Sequence, residues 1–467
     1  MRLSSAQLTP LRLPGFRNLF FATLGSSFGT MLAAVALAID VEDRTKSGLW
    51  VGAVLVVEFL PTIVVGLLLG PLLDRLDRRS LMIAADALRV GVFVALPFAP
   101  DAATVVGLAL VAGLATGFFR PAVYAGVPNL VPEEELPRAN ALLQTVENLS
   151  WAVGPLAGGV LTAAAGPSAA YAINAASFVV SLALIVRIPS RLLQSERALS
   201  RGHWRDLGDG FTAAVRSPSM RAVLVGWGLA SFAIGGCNVA TIFIAKDTLH
   251  AGDWGYGLLY GALGVGLVLG SLCSAIALAR YGVARVYGGG LLLMAVGAAT
   301  VAVSPNVWTA AVCSAVLGVG DGVAVACNAL LVQRGTFDVL RGRALTFVMS
   351  ATYLCLAVGV GVGGVFLRSP VSPGVPRWVW GAAGGLMLVA AVAGWLLARN
   401  LGGEAAARAE VVEAERAPSS ETPRPALPEP QPADFAVSDG LHAEAHLEAD
   451  AGLQLAAPPG APRKRRR

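Results

Sequence analysis

The sequence predicts an all-α integral membrane protein with twelve transmembrane helices in two pseudo-symmetric six-helix halves. Composition is the first reason: hydrophobic residues make up 55% of the 467 residues and charged residues 14%, whereas soluble proteins usually carry about 25% charged residues. Long apolar runs are the second reason, because a helix needs about 20 apolar residues to cross the hydrocarbon layer of a bilayer. An internal repeat is the third.

The apolar runs define the predicted helices in chain order. The first run follows a polar segment with several arginines and is succeeded by further spans, so we interpret it as a retained helix and not a cleaved signal peptide. About twelve runs reach the required length, and they cover residues 18–41, 50–71, 80–99, 103–126, 142–164, 168–187, 221–244, 255–279, 284–303, 307–331, 344–367 and 377–398.

Short repeats divide the chain into two halves. VGLLLG at 65–70 reappears as VGLVLG at 265–270, and AVGPLAGGVL at 152–161 reappears as AVGVGVGGVF at 357–366. These similar offsets predict a parallel repeat, which would put a substrate site near the membrane midplane between the halves. The final segment is rich in Ala, Glu and Pro, which predicts disorder. The predicted domains are 1–187 (N-terminal half), 188–220 (cytoplasmic central loop), 221–399 (C-terminal half) and 400–467 (disordered cytoplasmic tail).

Basic residues are distributed unequally between the two sides of the predicted membrane. Most arginines fall on the side of the N-terminus, and the opposite side holds only Arg44, Lys46, Lys246, Arg368 and Arg377. Because basic loops stay inside, both termini are predicted to be cytoplasmic in a multi-pass protein of the plasma (inner) membrane.

The stretch GPLLDRLDRRS, between the second and third spans, interleaves charges of both signs. The positive-inside rule accounts for its arginines but not for its acids, which must pair or cap a helix end to offset desolvation. We interpret the stretch as a salt-bridge latch that gates the cytoplasmic side. The residues of this gate are Gly70, Asp74, Arg75, Arg78 and Arg79.

This stretch resembles the signature loop of the major facilitator superfamily, Gly-x-Leu-x-Asp-Arg-x-Gly-Arg-Arg. Asp77 stands where the family usually has Gly, and we expect it to disturb a turn that needs a positive φ. The resemblance extends over about residues 10–400 and implies a secondary transporter working by alternating access. The matching residues are Gly70, Leu72, Asp74, Arg75, Arg78 and Arg79.

The fifth span resembles the Gly-x-x-x-Gly-Pro-x-x-Gly-Gly pattern of antiporters in this superfamily, through Gly154, Pro155, Gly158 and Gly159. Gly154 and Gly158 leave one helix face smooth, so a neighbouring helix can approach closely. Pro155 removes one backbone hydrogen bond and favours a kink. Plain helix packing is the alternative interpretation.

Two further stretches narrow the resemblance. RTKSGLWVGAVLVVEFLP before the second span and VPNLVPEEELPRANALLQ after the fourth are similar to the branch that contains macrolide efflux proteins and enterobactin exporters. This resemblance implies export of a small compound.

Three acids inside the spans are candidates for proton coupling: Glu58, Asp321 and Glu147. The alternative for each is a carboxylate paired for structure, and Glu147 could instead join the cytoplasmic gate. Arg120 is interpreted as a gate residue that pairs with Asp74 or with one of the acids at 133–135. Asp86 and Arg89, three residues apart on one helix, are predicted to form a local pair.

Helix 5 carries a polar and aromatic stripe. Gln144, Asn148 and Trp151 share one face of the helix with Glu147, and in the superfamily helix 5 borders the central cavity. We therefore predict a wall of the substrate cavity here, faced by Ser350 and Tyr353 from the other half. Hydrogen bonding between helices is an equally good explanation.

No enzyme chemistry is visible in the sequence. There is no phosphate-binding loop, no catalytic or metal-ligating constellation and no cofactor motif, and the five cysteines are interpreted as packing residues. The scattered arginines do not indicate nucleic-acid binding. We expect a monomer in the lipid bilayer that uses a proton gradient to export a small amphipathic compound, such as a drug, macrolide or siderophore. The alternatives are an importer or uniporter, or a transport-inactive scaffold.

Overall fold

The computed structural model describes residues 5–68, 76–193, 217–335, 341–369, 371–372 and 374–399. Within these residues twelve helices of at least 18 residues follow one another, and no strand occurs. They are α1 Pro14–Thr45, α2 Gly48–Leu68, α3 Arg78–Ala95, α4 Ala102–Gly126, α5 Leu136–Ala165, α6 Pro167–Val186, α7 Pro218–Phe243, α8 Gly252–Tyr281, α9 Val283–Ala302, α10 Val307–Gly335, α11 Arg341–Phe366 and α12 Val375–Arg399.

Ten of these helices are long and apolar enough to cross a membrane, and α2 and α5 complete the bundle. Several helices extend beyond the predicted apolar runs; α1, for example, spans 32 residues. The apolar run marks only the part of a helix that lies in hydrocarbon, and the backbone hydrogen bonds continue into the polar interface. The residues at 400–467 and most of the central loop lie outside the described residues.

The two sets of six helices pack in the same pattern. In the first set α1 packs against α5 and α6, α4 against α2 and α3, and α3 against α6. In the second set α7 packs against α11 and α12, α10 against α8 and α9, and α9 against α12. Between the sets α5 packs on α8 and α2 packs on α11. Each helix of the first set corresponds to the helix six places later in the second set, and this correspondence converts one of these contacts into the other. The predicted fold class, two pseudo-symmetric halves of six helices, is therefore confirmed.

The bundle has two ends, which we name after α1. The Pro14 end is where α1 begins, and the Thr45 end is where α1 finishes. At the Thr45 end Asp40 is buried and accepts hydrogen bonds from Arg44 Nε at 2.7 Å and from the Tyr171 hydroxyl at 2.9 Å. Arg44 also donates to the carbonyl oxygen of Ala99 at 2.8 Å. This network fastens the end of α1 to α6 and to the turn before α4.

Candidate functional site

A cavity of about 1150 Å³, including the space at its mouth, lies among helices α1–α6. Hydroxyl groups on one face of α1 and on α4 and α5 contribute to its wall: Thr23, Ser26, Ser27, Thr30, Thr116 and Ser150. Aromatic rings also line it: Phe93, Phe119, Tyr124, Trp151 and Phe178. Its charged lining residues are Glu58, Arg89, Arg120 and Glu147. Such a mixed wall can hold a molecule that has an apolar body and a few polar groups.

The N-terminal and C-terminal halves are in contact at the Thr45 end. The backbone N–H of Gly48, which begins α2, donates to the carbonyl oxygen of Leu367 after α11 at 2.7 Å. On the other side of the bundle Gly159 of α5 faces Gly257 of α8 so closely that a Cβ added at Gly159 would lie 2.7 Å from the Gly257 Cα. These contacts close the bundle at this end.

An ionic cluster that the sequence analysis missed also joins the halves at the Thr45 end. Lys246 Nζ, from the π-helical turn Ile244–Thr248, lies 2.6 Å from Glu42 Oε2 and 2.7 Å from Asp43 Oδ1 of α1. It also lies 3.0 Å from Asp253 Oδ1 of α8. Glu42 is only 1% exposed and the Lys246 side chain 13%, so this ion pair is largely desolvated, whereas Asp43 is exposed. The signal in the sequence that could have indicated this cluster was Lys246 itself, one of the few cations predicted on this side of the membrane.

Lys46, just after α1, lies on the solvent side of this ionic cluster. Burial acts to lower the pKa of Lys46, but hydrogen bonds to Asp43 and Glu42 outweigh it and raise the pKa. Lys46 is therefore charged across the physiological range, and it screens the two acids that also bind Lys246.

At the other end of the cavity, Arg120 of α4 reaches Glu147 of α5. Arg120 Nη2 lies 3.0 Å from both carboxylate oxygens, and the Tyr124 hydroxyl is hydrogen-bonded to the same carboxylate. Tyr353 of α11, in the C-terminal half, lies near enough to Arg120 to interact with it electrostatically. The arginine side chain is 48% exposed, so solvent reaches the cavity here.

The partner of Arg120 differs from the one expected. We predicted Asp74 or an acid at 133–135, and the described residues pair Arg120 with Glu147 instead. Among those acids Glu135 is engaged by Arg138 at 2.7 Å, whereas Glu147 lies at the same depth as Arg120 on the facing cavity wall. Asp74 lies outside the described residues.

The two deepest candidate acids occupy different surroundings. Glu58 of α2 lines the cavity and is half-buried, and among the described residues it has no hydrogen-bond or ion-pair partner. Asp321 of α10 is also half-buried but is not part of the cavity wall. Its neighbours in sequence, Gly320 and Gly322, pack on α9 and α8, which places Asp321 within the C-terminal half.

The predicted stripe on helix 5 is only partly on the cavity wall. Trp151 lines the cavity, as Glu147 does. Gln144 Nε2 donates to Asn148 Oδ1 at 3.2 Å, so these amides bond each other one helical turn apart, and neither is among the lining residues. Ser350 is half-buried and is likewise not among them.

The glycines of the helix 5 motif contact two different helices. Gly154 and Gly158 lie against α1, and a Cβ added at Gly158 would clash with the Leu32 carbonyl oxygen. Gly159, on the adjacent face, meets α8 of the other half. The repeat reproduces this division in α11, where Gly363 packs on α7 and Gly364 packs on the start of α2. Helix α5 continues through Pro155.

The predicted gate residues are described only in part, since Gly70, Asp74 and Arg75 lie outside the described residues. Arg78 Nη1 donates to the carbonyl oxygen of Ala125 at 2.7 Å, and Arg79 Nη2 donates to that of Val186 at 2.6 Å. Both acceptors belong to the last turns of helices, α4 and α6, whose carbonyls lack partners within the helix. The two arginines thus fasten helix ends within the N-terminal half.

The predicted local pair of Asp86 and Arg89 is confirmed. Arg89 forms a salt bridge with Asp86, and Asp86 also accepts a hydrogen bond from the Ser181 hydroxyl at 2.7 Å. The guanidinium carbon of Arg89 lies 4.2 Å and 4.3 Å from the ring centroids of Phe119 and Phe178. The carboxylate and the two rings compensate the charge of this buried guanidinium.

A bundle of twelve helices in two repeated halves, with a cavity among the helices of the first half, is the architecture of a membrane transporter of the major facilitator type. The sequence profile of the transmembrane secretion effector family matches residues 5–416, and the chain belongs to that family of major facilitator transporters. The predicted resemblance to major facilitator transporters, macrolide efflux proteins among them, is confirmed.

Curated relatives are similar over part of the chain. The uncharacterized MFS-type transporter YkuC of Bacillus subtilis is 28% identical over 274 residues, which cover 55% of this chain and 63% of YkuC. Macrolide efflux protein A of Streptococcus pyogenes is 25% identical over 245 residues, 51% of this chain and 60% of that protein. The multidrug efflux pump Tap of Mycolicibacterium fortuitum is 31% identical over 178 residues, 36% and 43% of the two chains. The chain thus spans about three fifths of the length of the first two.

Solved structures share the fold. A bacterial homologue of the iron transporter ferroportin in an inward-facing state aligns with a TM-score of 0.66 at 15% identity, covering 83% of this chain and 98% of that one. The nucleoside transporter NupG aligns with a TM-score of 0.63 at 15% identity, with the same coverage.

Proposed function

We propose that the chain is a secondary active transporter that exports a small amphipathic compound in exchange for protons. The observation that carries the proposal is the cavity, which has apolar and hydroxyl-bearing walls and a carboxylate, Glu58, without a partner among the described residues. The names of two relatives, a macrolide efflux protein and a multidrug efflux pump, favour the same direction and the same kind of compound.

The orientation belongs to the proposal. The excess of arginine at the Pro14 end favours a cytoplasmic location for that end and for both termini. The cavity would then receive its compound from the cytoplasm or the inner leaflet while the Thr45 end is closed. Rocking of the halves would open the Thr45 end and close the Pro14 end, where the loop with Asp74 and Arg75 would act as a latch.

Coupling needs a carboxyl group that takes a proton from one side and releases it to the other. Glu58 and Asp321 lie deep enough and lack a charged partner in the described parts of the chain, so their protonation can follow the state of the bundle. Glu147 is the third candidate, and its release from Arg120 would precede protonation. Burial favours the protonated form of such acids and a nearby cation opposes it.

The proposal is tested by proton movement in everted membrane vesicles that contain the chain. A pH-sensitive dye reports the gradient while macrolides, siderophores and cationic drugs are added one at a time. We expect dye recovery with one class of compound and its loss in Glu58→Gln or Asp321→Asn protein that inserts normally. No recovery with any compound from well-inserted protein would contradict proton-coupled export.

Two alternatives give different results in the same preparation. An importer or uniporter would move a compound without dye recovery or in the opposite direction. A scaffold would transport nothing and would depend on its tail. Deleting residues 401–467 should leave an exporter active, because the cavity and all twelve helices lie before that segment.

A further inference from the structure

The charges on the cavity wall do not cancel. Of the four charged lining residues, Arg89 is neutralised by Asp86 and enclosed by two rings. Arg120 and Glu147 neutralise each other with two contacts of 3.0 Å. Glu58 remains, so the described wall carries one uncompensated negative charge when Glu58 is ionised.

Among the described residues, no cation pairs with Glu58. Val54 lines the same wall one turn before it on α2, and Gly113 of α4 packs against the Val57 carbonyl oxygen beside it. From the C-terminal half, the hydrogen-bonded pair Tyr256 and Tyr260 lies within electrostatic range of Glu58, and both are uncharged phenols. A carboxylate held in such a site is stabilised strongly by any cation that can enter.

We propose that Glu58 is the binding site for a single positive charge on the transported compound, an organic ammonium or phosphonium with an apolar aromatic body. This proposal rests on the proposed function and specifies its substrate class. The rings of Phe93 and Trp151 on the same cavity wall supply apolar area and favourable contacts to cations. An anionic compound, including an acidic siderophore, is disfavoured because it would meet Glu58 with like charge.

The shape of the cavity supports this assignment. Glu58 lies on α2 in the half of the cavity nearer the Thr45 end, and the neutral Arg120–Glu147 pair lies nearer the Pro14 end. A compound entering past this pair therefore reaches the uncompensated carboxylate after it. There Glu58 can hold the cation while the aromatic side chains of the wall hold the apolar body.

Equilibrium binding of two ions of the same size and opposite charge tests the proposal. Tetraphenylphosphonium and tetraphenylborate are dialysed against the full purified chain in detergent, without a membrane gradient. We expect the phosphonium to bind about tenfold or more tightly than the borate, since a desolvated ion pair is worth at least that factor. Glu58→Gln should remove this preference by weakening the phosphonium alone, and Glu58→Asp should keep it.

The matched control is Asp101→Asn. It removes one carboxylate charge at an exposed helix start outside the cavity, and asparagine preserves the cap. Phosphonium affinity should be unchanged in this variant. Equal loss of phosphonium binding in Asp101→Asn, or none in Glu58→Gln, would overturn the proposal.

Carbodiimide labelling of the unaltered chain keeps the test decisive if Glu58→Gln fails to fold. Dicyclohexylcarbodiimide modifies carboxyl groups in apolar surroundings, and mass spectrometry locates the product. Tetraphenylphosphonium should protect Glu58 and leave labelling of Asp321 unchanged, because Asp321 is not on the cavity wall. Labelling of Glu58 that ignores the phosphonium would contradict the proposal. Phosphonium binding is measured without a proton gradient, so its result is independent of the vesicle experiment. Binding to Glu58 without proton exchange in vesicles would contradict the proposed function alone. Proton exchange without phosphonium binding would contradict this proposal alone.

Discussion

At the scale of single residues, Asp77 begins α3 by accepting a hydrogen bond from the Ser80 N–H at 2.8 Å. Its φ is −66°, so the expectation that it disturbs a turn of positive φ is wrong. The residue follows the N-cap preference for a short side chain with an oxygen acceptor. The acid that replaces the family's glycine is therefore a helix cap, and this accounts for one of the two acids in the charged stretch.

Replacing Asp77 tests this role. Asp77→Ala leaves an unsatisfied N–H at the start of α3 and should lower the free energy of unfolding by about 1 kcal/mol, whereas Asp77→Asn and Asp77→Gly should cost only a few tenths. Thermal unfolding of the purified variants in detergent measures the difference. An alanine variant as stable as the asparagine variant would contradict the capping role.

At the scale of elements, α5 and α11 each use one glycine to pack within their half and the next glycine to touch the other half. Gly159 meets Gly257, and Gly364 meets Gly48. Because membrane helices gain contact area when small residues let their backbones approach, these two places set how closely the Thr45 end can shut. An added methyl group there acts as a spacer between the halves.

Gly159→Ala and Gly364→Ala should both shift the bundle away from the state with a closed Thr45 end. Spin labels at Asp101 and Val303, both exposed, report the separation of the halves by electron spin resonance in a background without the native cysteines. We expect a longer mean distance in both variants. The control is Gly361→Ala, one turn earlier on α11, where an added Cβ meets nothing within 4 Å. A distance unchanged from the control would refute the spacer effect.

Lys246 holds the same end by charge. Lys246→Met leaves the buried Glu42 without its closest cation, and breaking such a desolvated pair costs about 3–5 kcal/mol. We expect the Thr45 end to open, or the protein to lose stability if it cannot open, as read by the same spin-label distance and by thermal unfolding. Lys46→Met is the matched control, since this side chain is 60% exposed and exposed pairs contribute only about 0–1 kcal/mol. Equal effects of the two variants would contradict the role of Lys246 in holding the Thr45 end closed.

The fold as a whole could be predicted because span length, apolar runs and the internal repeat are each visible in short stretches of the sequence. The pair of Asp86 and Arg89 was predictable for the same reason, since three residues separate them on one helix. Glu147 is 27 residues from its partner Arg120 in the sequence, and Asp43 is 203 residues from its partner Lys246. Such pairs depend on how helices are arranged in three dimensions, so apolar periodicity carries no information about them.

The cavity shows the same limit. Glu58, Glu147 and Trp151 were predicted from the sequence as functional candidates, and all three line the cavity. The sequence did not indicate that the wall comes from the N-terminal half. Nor did it indicate that the hydroxyls of α1 contribute to the wall, because serine and threonine are common in membrane helices as packing residues. Glu58 stands out only once the partners of the other three charges are known.

If the Thr45 end is the outer end of an exporter, as proposed above, the ionic cluster there has a consequence for the compound that leaves. When the halves separate there, Lys246 remains with Asp253 on the C-terminal half, and their charges cancel. Glu42 and Asp43 remain on the N-terminal half with Lys46, leaving one excess negative charge. In the proposed exporter, the contacts that close this end would become, on opening, an anionic rim on the N-terminal half, which would attract cations leaving the cavity and repel anions approaching from outside.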